Sequence, residues 1–148
     1  MEPSRVVDLL LVVVANGVNL LLAGMFLARA ARAAGLERVL GLSTVALSLP
    51  LTVATLLNLA GGRPWWSVLL PLLLVAYLSV ELVLDYILRL DFRHTRLLWP
   101  YLLLFYLAVN AMTGYAFLVG RTFGFVTLGS YFLCLAATWY SYAHVGHG

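Results

Sequence analysis

Apolar residues fill five long runs of this chain, and polar residues are confined to short connections and to a few positions within the runs. Each run has about 20 residues or slightly more, enough at about 1.5 Å per residue to cross a hydrocarbon layer of roughly 30 Å. The runs are Val6–Ala28, Val39–Ala60, Trp66–Leu88, Leu97–Val119 and Phe123–Tyr142. This pattern predicts an all-α, polytopic transmembrane helical bundle of about five spans, built as a single domain over residues 1–148.

Composition favours a surface that faces lipid. The chain is 64% hydrophobic and 10% charged, whereas a soluble domain has roughly 45–50% apolar and about 25% charged residues. All nine basic residues are arginine, and they flank the apolar runs instead of forming one basic patch. We therefore expect a multi-pass protein of the cell membrane, the cytoplasmic membrane in a prokaryote, with the lipid bilayer as its surroundings and no nucleic-acid partner.

Arginine placement predicts an orientation. The first connection is flanked by Arg29, Arg32 and Arg38, and the third by Arg89, Arg93 and Arg96. The second and fourth connections hold one arginine each, Arg63 and Arg121. Positively charged connections stay in the cytoplasm. The rule places the N-terminus outside and the C-terminus in the cytoplasm.

Two prolines predict local features of the spans. Pro50 lies in the middle of the second run and should kink the helix, because proline cannot donate a hydrogen bond to the Ala46 carbonyl. Pro100 falls in the first turn of the fourth run, where a missing N–H costs little.

Polar residues recur at helical spacing in every run, which predicts polar faces that converge inside the bundle. The stripes hold Asn16 and Asn19; Thr44, Ser48, Thr52 and Thr55; Tyr77, Glu81 and Asp85; Tyr106, Asn110 and Thr113; and Thr127, Ser130, Cys134, Thr138 and Ser141. Two interpretations remain open. The serines and threonines bond their own helix and the asparagines hold helices together, or the stripes line a polar pathway.

The acidic pair in the third run is the sharpest signal. Glu81 lies about 6 Å from the centre of its run and therefore within the hydrocarbon. A charged acid there costs at least about 2.5–3.5 kcal/mol. Asp85 comes four residues before Arg89 and has a simpler explanation as a surface ion pair. Glu81 is thus either a functional carboxyl group or a structural acid that the fold satisfies.

Depth in the membrane predicts which residues accompany Glu81. Counting from the centre of each run places Asn19, Ser48, Thr44, Tyr106, Cys134 and Thr138 near its level. The candidate intramembrane polar site comprises Glu81, Asp85, Tyr77, Asn16, Asn19, Ser48, Tyr106, Asn110 and Thr138.

The third connection offers a second candidate site. Arg89, Arg93 and Arg96 could bind a lipid headgroup or phosphate, since guanidinium groups match phosphate oxygens; the alternative is ordinary topology-setting charge. Neither Asp85, Asp91 and His94 nor His144 and His147 form a convincing metal-ligand set. We expect no metal and no cofactor.

Three functions fit this sequence. The first is transport of an ion, a proton or a small solute through a polar interior centred on Glu81, in a homo-oligomer such as a dimer. The second is a non-catalytic subunit or assembly factor of a larger membrane complex. The third is a membrane enzyme acting on a lipid or isoprenoid, with Glu81 or Asp85 as general acid or base, so enzymatic activity stays an open question.

Overall fold

The computed structural model describes residues 3–90, 92 and 95–145, which are helical apart from short turns. The elements are α1 (Pro3–Ala30), α2 (Ala34–Ala46), α3 (Ser48–Ala60), α4 (Trp66–Glu81), a π-helix (Leu82–Ile87), α5 (Leu98–Val119) and α6 (Arg121–Val145). They form five segments long and apolar enough to cross a membrane, which confirms the predicted spans and indicates a membrane protein. The largest difference in bounds is at α2, which begins at Ala34 instead of Val39.

The second span is interrupted at Leu47, in the turn before Pro50, where the sequence predicts a kink. Helix α2 ends at Ala46 and α3 begins at Ser48, so the break lies one turn before the proline. The Leu47 amide donates to the carbonyls of Ser43, at 3.3 Å, and Thr44, at 3.1 Å. The break lies here because the proline ring crowds the preceding turn and supplies no N–H.

A second proline, Pro71, lies inside α4 without ending it. In a regular helix the amide of residue 71 would donate to the Ser67 carbonyl, and proline removes that donor. The Asn58 side-chain amide of α3 supplies the bond instead, with Nδ2 2.8 Å from the Ser67 carbonyl oxygen. Asn58 and Ser67 are both fully buried, so a neighbouring helix satisfies a carbonyl that water cannot reach.

The third span ends in a π-helix, which the sequence did not predict. Hydrogen bonds here reach one residue further back, as in the 2.8 Å bond from the Leu88 amide to the Val83 carbonyl. Such turns are rare and occur frequently at functional sites. The π-helix begins at Leu82, directly after Glu81.

Helix α1 lies at the centre of the bundle and packs against α2, α3, α5 and α6. Its inward side chains Leu11, Val18 and Leu22 are fully buried. Leucines, valines and aromatic residues cover most of the outer surface, as in a bundle that faces lipid. One cavity, at the connection between α1 and α2 and at the end of the π-helix, is lined by Arg29, Arg38 and Arg89. We call this end of the bundle the arginine-rich end.

Two spans end in a C-terminal cap whose central residue has a left-handed backbone conformation, and that residue differs between them. After α3, Gly62 has φ 60°, and the amides of Gly62 and Arg63 donate to the carbonyls of Leu59 and Asn58. After α1, Arg32 occupies the equivalent position with φ 57°. Glycine adopts this left-handed conformation at little cost, whereas a residue with a Cβ does not.

Candidate functional site

Glu81 is buried at the end of α4, with 2% of its surface exposed. The hydroxyl of Tyr101, in the first turn of α5, donates to Glu81 Oε2. The Tyr101 and Tyr77 hydroxyl oxygens are 3.2 Å apart, and Tyr77 is also buried. The carboxyl group therefore belongs to a hydrogen-bonded row of one acid and two phenols that links α4 and α5.

Aromatic rings enclose this row. The ring centroids of Phe92 and Tyr101 are 4.8 Å apart, in an edge-on arrangement. Phe105 packs on Tyr77 with centroids 5.3 Å apart. Tyr77 and Glu81 are buried beside these rings, and hydrogen bonds in such surroundings are stronger than in water.

Depth matching did not name Tyr101, which donates to Glu81, and most of the residues that it did name have hydrogen bonds elsewhere. Asn19 bonds α6, Thr44 bonds its own helix, and Thr138 donates to the Cys134 carbonyl. Ser48 lies half-buried at the start of α3. Tyr106 is 37% exposed, and within the described residues its hydroxyl has no hydrogen bond. Tyr101 was missed because an aromatic residue near the end of a run is typical of the membrane interface.

The two asparagines of α1 hold that helix to α6. Asn16 Nδ2 donates to Thr127 Oγ1 at 2.9 Å, and Asn16 Oδ1 accepts from Ser130 Oγ at 2.8 Å. Asn19 Nδ2 reaches Ser130 Oγ at 3.0 Å. This ladder matches the interpretation of Asn16 and Asn19 as interhelical contacts.

The polar stripe of the second span mostly satisfies itself. Thr44, Thr52 and Thr55 each donate to the carbonyl four residues earlier, at 2.9, 2.7 and 2.7 Å. Such bonds leave no hydroxyl hydrogen for a passing solute. The packing interpretation therefore describes these threonines better than a polar pathway.

An ion-pair cluster that was not predicted from the sequence lies at the end of the bundle opposite the arginine-rich end. Arg63 Nη1 and Nη2 bond Asp8 Oδ1 and Oδ2 at 2.7 and 3.0 Å. The hydroxyl of Tyr115 donates to the same carboxylate, and Arg63 Nη1 also donates to Asn58 Oδ1 at 3.1 Å. Hydrogen bonding to Asp8 raises the pKa of Arg63, so its guanidinium group stays charged. The cluster joins α1, the connection before α4, and α5.

Of the three predicted headgroup residues, the structure places one in a pocket. Arg89 lines a cavity at the arginine-rich end together with Arg29 and Arg38. Arg96 is exposed and lies outside that lining, and Arg93 falls outside the described residues. Asp85 lines the same cavity. Within the described residues Asp85 does not form the expected ion pair with Arg89. The π-helix changes the angle between side chains four positions apart, and Arg89 has a left-handed φ of 51°.

Comparisons of the chain with protein-family models, with curated proteins and with solved structures find no match.

Proposed function

We propose that this chain is a small membrane transport protein in which Glu81 takes up and releases a proton. The observation that carries the proposal is a carboxyl group 2% exposed within a membrane span and hydrogen-bonded to the Tyr101 hydroxyl. An ionisable residue in such a span is expensive to keep and is a functional group by default. The π-helix that follows Glu81 directly adds support.

The surroundings of Glu81 favour a proton over a larger solute. The rings of Phe92 and Phe105 pack against those of Tyr101 and Tyr77, and Glu81 and Tyr77 are buried, so the row lies among closely packed apolar rings. A proton can pass between hydrogen-bonded oxygens without opening such packing, whereas a hydrated cation or an organic solute needs room. The proposal therefore narrows the transported species to a proton, with Tyr101 as the next oxygen after Glu81.

Proton flux into liposomes tests this proposal. The purified protein is reconstituted with a trapped pH-sensitive dye, and a potassium gradient with valinomycin supplies the driving force. We expect acidification of the liposome interior. Glu81→Gln should reduce its rate at least about tenfold, which corresponds to about 1.4 kcal/mol in the barrier, because an amide does not release a proton as a carboxyl group does. Tyr101→Phe should slow the flux as well.

A matched control comes from the same helix. Tyr106 lies five positions after Tyr101 and is exposed on the outer surface, so Tyr106→Phe should leave the flux unchanged. Wild-type flux no greater than that of protein-free liposomes would refute the transport function. Equal flux in wild type and Glu81→Gln would remove Glu81 from it.

A second function, as a subunit of a larger membrane assembly or of a homodimer, is favoured by Asn110. Its side chain is exposed in the middle of α5, although Nδ2 donates to the Tyr106 carbonyl at 2.8 Å and to the Tyr131 hydroxyl of α6 at 3.4 Å. Polar side chains in a membrane span usually face protein, where they bond across helices. Oxidative crosslinking of Asn110→Cys in native membranes tests this: a crosslinked product supports a partner at this face, and an uncrosslinked monomer argues against it.

A further inference from the structure

A cavity of about 500 Å³ opens at the arginine-rich end, between the end of α1, the start of α2 and the π-helix. Its charged lining consists of Arg29, Arg38, Arg89, Glu37 and Asp85, three guanidinium groups against two carboxyl groups. Glu81 and its tyrosines are not part of this lining, so the cavity is a separate site from the proposed proton carrier.

Arg29 is the unusual member of this lining. Its side chain is only 8% exposed, and Nε donates to Glu37 Oε1 at 2.8 Å. Its Nη1 atom is fully buried and has no hydrogen-bond partner among the residues that the structure describes. A buried donor of a charged group without an acceptor is costly, which points to an acceptor supplied from outside the chain.

The guanidinium group of Arg29 is also held in place. It lies over the Phe26 ring, with its central carbon 5.5 Å from the ring centroid, while the Glu37 bond fixes Nε. These two contacts orient the remaining donors before any ligand arrives. A pre-oriented site binds more tightly because less freedom is lost on binding.

The other charges in the cavity favour an anion. Arg38 and Arg89 are exposed and make no ion pair within the described part of the chain. The Glu37 carboxylate already accepts from Arg29, and Asp85 is likewise not a free carboxylate. The donors without acceptors are thus all guanidinium groups, whose fork-like geometry matches phosphate oxygens.

We propose that this cavity is a binding site for a phosphate group, with Arg29 as the buried anchor and Arg38 and Arg89 as the outer donors. The group could belong to the headgroup of an anionic lipid or to a free phosphate compound, since both present the same oxygens. Apolar Met25 and Leu90 border the cavity and would suit the adjoining part of a lipid.

Ligand-induced thermal stabilisation, followed by tryptophan fluorescence of the full chain in detergent, tests this site. The probes are inorganic phosphate and dihexanoyl phosphatidic acid, and a third arm compares nanodiscs of phosphatidylcholine with and without phosphatidic acid. We expect saturable stabilisation by at least one probe. Arg29→Gln should weaken it by about 10–100-fold, as expected for a lost hydrogen bond to a charged group, and Arg38→Gln should weaken it less.

Arg32→Gln is the matched control, because Arg32 carries the same charge at the same end but lies outside the cavity lining. If Arg29→Gln does not fold, the exposed Arg38→Gln and the conservative Arg29→Lys give the answer instead. Stabilisation by inorganic phosphate but not by phosphatidic acid assigns a soluble ligand, and tighter binding of phosphatidic acid than of inorganic phosphate assigns a lipid. The proposal fails if no probe stabilises the wild type, or if Arg32→Gln weakens binding as much as the cavity variants do.

Discussion

The bond between Asn58 and the Ser67 carbonyl makes a quantitative prediction about Pro71. Replacing Asn58 with Leu leaves a buried carbonyl without a donor, because Pro71 cannot supply one. An unsatisfied buried acceptor costs about 1–3 kcal/mol. Hydrogen bonds between membrane helices average nearer about 0.6 kcal/mol, so we expect the carbonyl to contribute about 1 kcal/mol to the free energy of unfolding.

A double-mutant cycle isolates this contribution. Pro71→Ala restores the backbone N–H that the Ser67 carbonyl would accept in a regular helix. Asn58→Leu should therefore destabilise the Pro71→Ala protein by about 1 kcal/mol less than the wild type. The measurement is unfolding in mixed micelles with increasing sodium dodecyl sulfate, followed by circular dichroism for all four proteins.

The control for this cycle is Thr55→Val. Thr55 is buried one turn before Asn58 and bonds the Leu51 carbonyl of its own helix at 2.7 Å, so its loss should not depend on residue 71. Independent substitutions add to within about 0.3–0.5 kcal/mol. Additive effects of Asn58→Leu and Pro71→Ala within that margin would refute the substitution of a side-chain donor for the missing amide.

Three further predictions concern stability in the same unfolding assay. Arg32→Gly should raise the free energy of unfolding by about 0.5–1 kcal/mol, because φ 57° suits glycine; an unchanged or lower value contradicts the cap assignment. Asp8→Asn should lower the free energy of unfolding by about 1–2 kcal/mol, since the pair with Arg63 is largely shielded from water. An unchanged value would show that the cluster does not contribute to stability. Gly124→Ala should lower the free energy of unfolding by about 1–3 kcal/mol, because the new Cβ would lie 2.2 Å from the Phe117 ring. Gly129→Ala is the control and should lower it less, because its Cβ would have no neighbour within 4 Å.

The spans and the break at Leu47 could be predicted because their causes are local. Five apolar runs of sufficient length require spanning helices in lipid, and Pro50 crowds the turn before it and removes one backbone donor there. The π-helix could not be predicted in the same way. It depends on one extra residue per turn being accommodated by packing against neighbouring helices, which no periodicity in the sequence reports.

The candidate sites were predicted only in part, since partners far apart in the chain meet through packing. Glu81 was identified from its own chemistry, but its donor Tyr101 was not, because helix rotation decides which aromatic residue faces inward. Asp8 meets Arg63 and Tyr115 across separations of 55 and 107 positions. Arg29 shows the same limit: its position in the chain indicated topology, and only the fold revealed its buried donor.

The π-helix after Glu81 has a consequence for comparing this chain with relatives of different length. A π-turn holds one residue more than an α-turn over the same rise, so deleting a single residue within Leu82–Ile87 could restore a continuous α-helix. Such a relative would keep the span up to Glu81 and also the placement of the chain beyond the deletion, because the wide turn takes up the extra residue locally. Only residues within the former π-turn, Asp85 among them, would then have different surroundings in the two proteins.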